Sequence, residues 1–385
     1  MGGAALQLHR IGINGIYCSA FLYSFSLRYG KFLPAQVARI HLIALTTDGD
    51  LSLSKTVLVT GVAGFIGSHV AEALLARGDT VIGLDNLNDY YSPERKRANL
   101  AEIGHLISNA SRFAFVKGDI RDRTLIADLF AKYVFDAVVH LAAMAGVRVS
   151  IEDPCLYYDV NLSGTLALLD ASVGRLSPKS VRSSFPLFVF ASTSSVYGNT
   201  QRIPFVETDP CDRPLAPYAA SKRAAEMLGH AYYHLYGLDF TALRFFTVYG
   251  PRGRPDMMAY KVLDNILFGH EVPLYNGGQM HRDWTYVDDI VQGIVSATDK
   301  RLGYEVINLG RGEPVLLAEF VRLIEDLAGR KAKLTPAEIP AADIPYTCAH
   351  IGKAIALLGY APKVSAKEGV TRFWRWYEQA VRGQP

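Results

Sequence analysis

The sequence predicts an α/β protein in which a doubly wound parallel sheet is followed by a smaller C-terminal lobe. Short apolar runs rich in β-branched residues alternate with helical patterns up to residue 250, and a glycine-rich turn follows the first run. After residue 250 the alternation weakens and prolines appear. The expected strands are 56–60, 80–84, 112–117, 136–141, 187–191 and 240–245. The expected helices are 65–77, 93–107, 122–132, 153–173 and 218–236, then 257–268, 287–299, 316–328 and 367–381.

The composition is that of a globular protein. The chain has 385 residues, 50% of them hydrophobic and 20% charged, which is enough for one large domain or two. A net charge of +3 is too small to indicate a nucleic-acid or membrane partner. The four cysteines (Cys18, Cys155, Cys211 and Cys348) are too far apart for a metal site or a disulfide framework. We therefore expect no metal and a reducing compartment.

Residues 1–54 differ from the rest and are predicted to be an N-terminal extension. Asp48 is the first acidic residue, whereas lysine and arginine occur earlier, and such a basic segment is compatible with a leader or signal anchor. The apolar stretch 11–27 is short for a membrane span and is interrupted by polar residues. An unstructured extension, or sequence upstream of the true start, explains the segment equally well. We predict a cytoplasmic protein, with Golgi or other membrane anchoring through 1–54 as the alternative.

The stretch KTVLVTGVAGFIG is typical of a phosphate-binding turn. Gly61, Gly64 and Gly67 follow a predicted strand, and a helical pattern begins among them. The turn lets the backbone approach a ligand, and the helix N-terminus offers free N–H groups and a positive dipole end to a pyrophosphate. The next strand ends at Asp85, 18 residues after Gly67, where a carboxylate can bind an adenosine ribose and repel a 2′-phosphate. These features predict a Rossmann-type sheet that binds NAD rather than NADP.

This interpretation divides the chain after the extension into two parts. We expect an NAD-binding Rossmann domain over 55–250 and a mainly substrate-binding lobe over 251–385 that partly returns to the sheet. A cleft between the two lobes would hold the substrate.

Tyr218 and Lys222 form a candidate catalytic pair in the sequence YAASK. They lie four residues apart on a predicted helix, and so they share a face. A nearby ammonium lowers the pKa of a tyrosine because it favours the phenolate, which makes the tyrosine a better base. The motif is short enough to arise by chance, and its value here lies in its position after the fifth strand.

Four hydroxyl residues, Ser192 to Ser195, follow that fifth strand at the ligand-binding edge of the sheet. One of them could relay a proton to Tyr218, although an ordinary polar turn is the alternative. At the ends of other strands, Leu141-Ala142-Ala143 could let the cofactor pass close to the backbone, and Asp119-Ile120 could meet the adenine. Gly146 and Val147 lead from the first of these segments to Arg148.

Arg252, Arg254 and Arg282 form a basic set in the C-terminal part. Guanidinium groups suit diphosphate and carboxylate because they donate hydrogen bonds in pairs, although a solvated surface is the commoner fate of an arginine. The histidines show no ligand spacing with acids or cysteines and are interpreted as structural. These are His140, His230, His234 and His270.

Together, the motifs resemble the extended short-chain dehydrogenase/reductase group of NAD-dependent sugar-nucleotide epimerases and dehydratases. Within that group they are most similar to UDP-glucuronate 4-epimerases, and the resemblance covers residues 55–380. The stretches LDNLNDYY and RFFTVYGPRGRPDM are far more specific than the glycine turn. The resemblance implies an isomerase with a tightly held NAD, a UDP-sugar site between the lobes and, as is usual for the family, a homodimer.

The resemblance also implies roles for individual residues. Tyr218 would take the proton of the sugar 4-hydroxyl with help from Thr193, and Lys222 would hold the nicotinamide ribose. Hydride would move from carbon 4 to NAD and return to the other face after the 4-keto sugar has turned. The implied cofactor-binding residues are Gly61, Gly64, Phe65, Ile66, Gly67, Asp85, Asn86, Asp119, Ile120, Leu141, Ala142, Ala143, Tyr218 and Lys222.

A 4-keto hexuronate is a β-keto acid and loses carbon dioxide readily, so an epimerase must restrain its carboxylate. By resemblance, hydroxyls and one guanidinium would hold that carboxylate, and Arg282 would contact the UDP phosphates. The implied substrate-binding residues are Arg148, Ser194, Ser195, Thr247, Arg254 and Arg282.

Related enzymes differ in the residues that follow the threonine matched by Thr193. Sugar dehydratases usually have Asp-Glu there and UDP-glucuronate decarboxylases Ser-Glu, whereas this chain has Ser194-Ser195. UDP-glucose 4-epimerases usually have asparagine where Thr247 stands. The chain departs from the family in having Ala342 before Asp343, where glycine is frequent. Alternatives are a UDP-glucose or UDP-pentose 4-epimerase, a decarboxylase and, outside enzymes, a non-catalytic NAD-binding sensor.

Overall fold

The computed structural model describes residues 12–13, 16–17, 54–105, 110–176 and 184–382. Its contacts divide the chain into two units, Met1–Ser52 and Leu53–Pro385. In the first unit the described residues form two strands of two residues each, paired antiparallel. Nearly all of the predicted extension lies outside the described residues, and its role stays a prediction.

Fifteen strands and twelve α-helices occur in the described residues. The strands are β1 (Gly12–Ile13), β2 (Ile16–Tyr17), β3 (Thr56–Thr60), β4 (Thr80–Asp85), β5 (Phe113–Lys117), β6 (Ala137–His140), β7 (Leu187–Thr193), β8 (Phe240–Phe245), β9 (Thr247–Tyr249), β10 (Glu271–Tyr275), β11 (His281–Arg282), β12 (Trp284–Tyr286), β13 (Tyr304–Leu309), β14 (Val315–Leu316) and β15 (Lys333–Ala337). The helices are α1 (Phe65–Arg77), α2 (Pro93–His105), α3 (Arg123–Lys132), α4 (Val149–Glu152), α5 (Pro154–Tyr158), α6 (Gly164–Ser172), α7 (Pro217–Tyr236), α8 (Met258–Phe268), α9 (Val287–Ala297), α10 (Leu317–Ala328), α11 (Gly352–Leu358) and α12 (Ala366–Arg382).

The second unit is built on a seven-stranded sheet in the order β13-β8-β7-β6-β3-β4-β5, and all of its pairs are parallel. The strand order reverses at β3, so the crevice beside its carboxyl end is the place where such sheets bind ligands. The predicted doubly wound α/β fold is confirmed, and the six predicted strands are present. The seventh strand, β13, was not predicted because its place is set by pairing with β8, which lies far away in the sequence.

Alternating side chains of β3 enter two separate cores. Val57 and Val59 pack into one core with α1 and α9, whereas Leu58 packs into the other with α3, α6 and α7. Because strand side chains alternate between faces, such a pattern requires helices on both faces of the sheet. The layers therefore fix the carboxyl ends of the strands at one edge, where loops are free to form a site.

The predicted helical segment 153–173 is confirmed over 154–172, but it contains a π-helical turn that was not predicted. The segment starts as α5, passes through a π-helical turn at Asp159–Ser163 and continues as α6. Asn161 lies in that turn; its amide accepts a hydrogen bond from the Met144 backbone at 2.8 Å and donates one back at 2.9 Å. It also donates to Ser221 on α7 at 3.0 Å. The π-helical turn thus places the Asn161 side chain where it can hydrogen-bond both the loop after β6 and helix α7.

The described residues after Gly250 include short strands and five further helices, α8 to α12. Strands β9 and β12 pair parallel, β10 and β15 pair parallel, and β11 and β14 pair antiparallel. These strands of two to five residues carry little sequence signal, and none of the six was predicted. The predicted boundary between the lobes stays a prediction. Across the described ranges, no helix combines the length and apolar character needed to cross a membrane.

Candidate active site

The glycine turn lies between β3 and α1. Gly61 adopts a φ of +72°, and a Cβ there would lie 2.8 Å from the backbone nitrogen of Ala142. A Cβ on Gly67 would lie 2.1 Å from the Gly61 oxygen. Gly64 caps α1 without a side-chain hydrogen bond, and no acidic residue occurs in the first turn of that helix. The turn therefore leaves the N–H groups of the helix N-terminus available to an anion.

Asp85 ends β4 beside this turn. Its carboxylate accepts backbone hydrogen bonds from Ala63 at 3.1 Å and Leu87 at 2.8 Å. Burial raises the pKa of Asp85, and these hydrogen bonds oppose that shift. Asn86 donates to Asp119 at 3.0 Å, which links the ends of β4 and β5. A carboxylate and an amide thus line the wall where a ribose would lie.

These residues line a cleft of about 1130 Å³, which we call the glycine cavity. All fourteen residues predicted to bind the cofactor line it. They are Gly61, Gly64, Phe65, Ile66, Gly67, Asp85, Asn86, Asp119, Ile120, Leu141, Ala142, Ala143, Tyr218 and Lys222. A bare helix N-terminus facing a carboxylate across one cleft fits a dinucleotide, because the pyrophosphate needs N–H donors and the ribose needs an acceptor.

Tyr218 and Lys222 project from α7 into the glycine cavity. Lys222 is almost fully buried, and its Nζ donates to the carbonyl oxygen of Ala191 at 2.8 Å. Burial lowers the pKa of Lys222 to about 7, and the carboxylate of Glu226 opposes the shift. Lys222 is thus fixed at the end of β7, next to Tyr218.

The expected lowering of the Tyr218 pKa by Lys222 is wrong in this structure. Burial raises the pKa of Tyr218, and the groups that act in the opposite direction are Arg254 and a hydrogen bond with Thr193. The physical reason is that desolvation of a phenolate outweighs the attraction of nearby cations. Two of the predicted site residues, Thr193 and Arg254, are therefore the neighbours that favour the phenolate.

Thr193 ends β7 and caps the short 3-10 helix that follows it. Its Oγ1 accepts from the backbone N–H of Ser195 at 3.1 Å and donates to the Ser195 hydroxyl at 3.2 Å. Ser192 also lines the glycine cavity, but its hydroxyl donates to the buried carboxylate of Glu226 at 2.5 Å. Of the four consecutive hydroxyls, that of Ser192 is therefore held by the interior of the fold.

A second cleft of about 1330 Å³ lies beside the first, and we call it the arginine cavity. All six residues predicted to bind the substrate line it. They are Arg148, Ser194, Ser195, Thr247, Arg254 and Arg282. Arg254 lines both cavities, and so the two clefts meet at its side chain, near Tyr218.

The arginines of this cavity differ in their partners. Arg148 pairs with Asp343 at 2.8 Å and donates to the Tyr275 hydroxyl at 2.6 Å. Arg282 donates only to the backbone oxygen of His281 at 3.0 Å and has no carboxylate partner among the described residues. Burial lowers the pKa of Arg282. An anion in this cavity would therefore meet one guanidinium that forms no ion pair in the described part of the chain.

Arg252 does not join the site. It lies outside both cavities and pairs with Glu72 at 2.7 Å and with Glu102, on α1 and α2. The segment PRGRPDM turns sharply at Arg252, which has a φ of +61°, and this turn separates its side chain from that of Arg254. His140 is structural, as predicted, since its buried ring is held between Thr60 at 2.8 Å and Thr165 at 2.9 Å.

Sequence reasoning missed several residues that line the two cavities. Tyr90 lines the glycine cavity, and Asp256 and Tyr275 line the arginine cavity. Tyr90 and Asp256 stand in LDNLNDYY and RFFTVYGPRGRPDM, the most specific stretches, and that signal could have identified them. Tyr275 ends a short strand, and no local pattern distinguishes it from a packing residue.

Comparison with known proteins identifies the family. The chain is 44% identical over 339 residues to UDP-glucuronate 4-epimerase 4 of Arabidopsis thaliana, covering 84% of this chain and 75% of that protein. It is 42% identical over 329 residues to the UDP-glucuronate 4-epimerase of Thermodesulfobacterium geofontis, with coverage of 84% and 96%.

A solved structure shares the fold. It is the UDP-glucuronic acid 4-epimerase from Bacillus cereus in complex with UDP-glucuronic acid and NAD. The match has a TM-score of 0.76 at 33% identity and covers 84% of this chain and 99% of that one. Residues 57–310 match the profile of the NAD dependent epimerase/dehydratase family. The chain therefore belongs to the NAD dependent epimerase/dehydratase family.

Proposed function

We propose that this protein is a UDP-glucuronate 4-epimerase, which converts UDP-glucuronate to UDP-galacturonate with NAD as its cofactor. The observation that carries the proposal is the meeting of the two cavities at Arg254. A sugar placed there has Tyr218 on one side and a guanidinium for its carboxylate on the other. The relatives named above support the same reaction.

NAD, when bound in the glycine cavity, supplies the reversible oxidation of carbon 4. Tyr218 would take the proton of the 4-hydroxyl, and its hydrogen bond with Thr193 favours the phenolate that accepts this proton. Lys222 is held by the Ala191 carbonyl at 2.8 Å and would donate a hydrogen bond to the cofactor ribose. Burial raises the pKa of Tyr218, which makes its phenolate a stronger base but a less populated one, and Arg254 and Thr193 favour formation of that phenolate.

The residues around the carboxylate favour epimerisation over loss of water or of carbon dioxide. Thr247, Ser194 and Ser195 would bind the sugar carboxylate together with Arg254. No carboxylate side chain stands at positions 194 and 195 to act as acid or base for dehydration. The uncharged hydroxyls thus serve to orient the carboxylate and have no proton to exchange at neutral pH.

The nucleotide would lie in the rest of the arginine cavity. Arg282 forms no ion pair with the described residues, and a diphosphate would supply a directly contacting counter-ion. Arg148 could add a second contact by sharing its charge between Asp343 and the phosphates. We therefore propose that these two arginines anchor UDP while the keto sugar turns.

Incubation of the purified protein with UDP-glucuronate and no added NAD tests the proposal. Chromatography and NMR should show UDP-galacturonate, which would also establish that NAD is carried with the protein. Formation of UDP-xylose or a 4-keto pentose would instead identify a decarboxylase. If no product forms even with added NAD, UDP-glucose and UDP-pentoses are the next substrates, and their failure leaves the non-catalytic sensor.

We also propose a homodimer located in the cytoplasm. Large apolar side chains on helices that pack together support the homodimer: Ile151 is 58% exposed, Met227 61% and Leu235 65%. The described cysteines are unpaired, which supports a reducing compartment. Light scattering of the purified protein tests the first proposal, and fractionation of cells that express the full chain tests the second.

A further inference from the structure

We propose that Asp256 is a positioning residue that holds Arg254 by one edge of its guanidinium, so that another edge meets the sugar carboxylate and protects the keto intermediate from decarboxylation. This inference rests on the proposed function. It concerns a side chain that would not itself touch the reacting atoms.

The contact between the two side chains is bidentate. Arg254 Nε donates to Asp256 Oδ1 at 2.9 Å, and Arg254 Nη2 donates to Asp256 Oδ2 at 2.7 Å. This fork uses the edge formed by Nε and Nη2. In the part of the chain that the structure describes, Nη1 has no hydrogen-bond partner. Nη2 also contacts the sulfur of Met257, a weak acceptor, at 3.8 Å. Apart from that contact, the edge formed by Nη1 and Nη2 is left for a second carboxylate.

Neighbouring groups restrict the pair further. The guanidinium carbon of Arg254 lies 5.7 Å from the centre of the Tyr90 ring, and the Tyr90 hydroxyl lies 3.5 Å from Asp256 Oδ2. A Cβ on Gly146 would lie 2.8 Å from that hydroxyl, so glycine is needed there for Tyr90 to approach. Arg254 and Asp256 are 20% and 36% exposed, and both line the arginine cavity.

The position of the pair explains why orientation matters. Decarboxylation requires the bond from carbon 5 to the carboxyl carbon to align with the π system of the carbon 4 ketone. That bond then breaks, its electron pair forms an enolate, carbon dioxide leaves, and carbon 5 takes up a proton. A guanidinium that is fixed by Asp256 can hold the carboxylate out of this alignment, whereas a free arginine follows the carboxylate as it rotates.

The test is the ratio of carbon dioxide released to epimer formed by the Asp256→Asn holoenzyme, with UDP-glucuronate labelled at the carboxyl carbon. We expect this ratio to rise at least about tenfold over wild type, because small misplacements of a positioning group have effects of that order. The KM for UDP-glucuronate should change less than about threefold, since the charge of Arg254 remains. Asp256→Glu keeps a carboxylate and should give a smaller rise.

The ratio separates positioning from a merely structural role, because a loss of folded protein lowers both products equally. Asp288→Asn is the matched control, since Asp288 pairs with Arg372 at 3.2 Å outside both cavities, and its ratio should equal that of wild type. An equal rise in the control would overturn the inference.

Two further results would overturn it. An unchanged ratio in both Asp256 variants, with normal epimerisation by wild type, overturns the inference about Asp256 but leaves the proposed function in place. Tighter binding of UDP-glucuronate by Asp256→Asn with an unchanged ratio would show that Asp256 only competes with the substrate. If wild type forms no epimer, the proposed function fails and the inference fails with it. If Asp256→Asn does not fold, Asp256→Glu carries the same test.

Discussion

The glycine cavity and the arginine cavity are lined by different kinds of chemical group. The glycine cavity is shaped by main chain: Gly61 lies against Ala142, and Gly67 lies against Gly61, at distances that exclude any side chain. The arginine cavity is shaped by charged side chains from segments far apart in the chain, such as Arg148 and Asp343. The first should therefore be damaged by adding a single methyl group, and the second by removing a charge.

The buried charges of the two cavities differ as well. In the glycine cavity, burial shifts the pKa values of Asp85 and Lys222 toward their neutral forms. In the arginine cavity, Arg148 and Arg254 each have a carboxylate partner that keeps them charged. A bound cofactor can supply partners to the buried groups of the glycine cavity, whereas two of the three arginines that a substrate would meet are already paired with carboxylates.

The largest effect is expected where the cavities meet. Tyr218→Phe removes the proposed base and should lower kcat with UDP-glucuronate about 10³-fold, within the usual range for a general base. Binding of UDP, measured by calorimetry, should be unchanged. Tyr233→Phe on the same helix is the control, since Tyr233 is 41% exposed, and it should retain full activity. A Tyr218→Phe variant with near-normal turnover would remove Tyr218 from the mechanism.

The next effect concerns main-chain geometry. Gly67→Ala would place a Cβ 2.1 Å from the Gly61 oxygen, which the turn can relieve only by moving. We expect a loss of about 3 kcal/mol in the free energy of unfolding, together with loss of bound NAD on purification. Gly104→Ala is the control, because Gly104 is exposed on α2 with no atom within 4 Å of the added Cβ. It should stabilise the protein by about 0.5 to 1 kcal/mol, as measured by urea unfolding.

A pH dependence follows from the buried ammonium. The pKa of Lys222 is about 7 in the fold and has its ordinary value in the unfolded chain, so the folded chain binds fewer protons between these values. Below pH 7, burial of the charged Lys222 therefore lowers the free energy of unfolding by its full amount. This destabilisation declines as the pH rises toward the pKa of the lysine in the unfolded chain. Lys222→Met removes that cost.

Urea unfolding of the nucleotide-free protein can measure this difference. The stability of Lys222→Met relative to wild type should be more favourable at pH 6 than at pH 9, by on the order of 2 kcal/mol. The hydrogen bond from Lys222 to Ala191 is lost at both pH values, and so it cancels in the comparison. An equal difference at both pH values would mean that Lys222 stays charged in the fold.

The contrast between the cavities also explains how far the sequence could be interpreted. Gly61, Gly64, Gly67 and Asp85 stand at fixed spacing within one strand–helix–strand unit, so local rules were enough to predict the sheet and the cofactor site. The pKa of Tyr218 was predicted in the wrong direction, because the spacing of Tyr218 and Lys222 shows the cation but not the depth of burial.

The arginine cavity was predicted less completely. Its six predicted residues do come together, but their partners depend on contacts over long sequence distances. The hydrogen bond from Arg148 to Asp343 joins residues 195 positions apart in the sequence, and the one from Arg148 to Tyr275 joins residues 127 positions apart. Arg252 and Arg254 have the same sequence signature, yet a turn at Arg252 directs one side chain to α1 and the other to the site. Backbone conformation at one residue decided between them, and no pattern in the sequence indicates it.

The smallest predicted effect compares two arginines within the arginine cavity. Arg282→Ala should weaken UDP binding about tenfold, because Arg282 is half-buried, forms no ion pair with the described residues, and would pair with the diphosphate. Arg148→Ala should weaken binding only about threefold, since Arg148 is 43% exposed and already pairs with Asp343. Calorimetry at two salt concentrations measures both, and the loss in Arg148→Ala should shrink at the higher one. Equal losses of affinity would mean that the ion pair with Asp343 does not reduce the contribution of Arg148 to UDP binding. The proposed difference between paired and unpaired arginines would then be wrong.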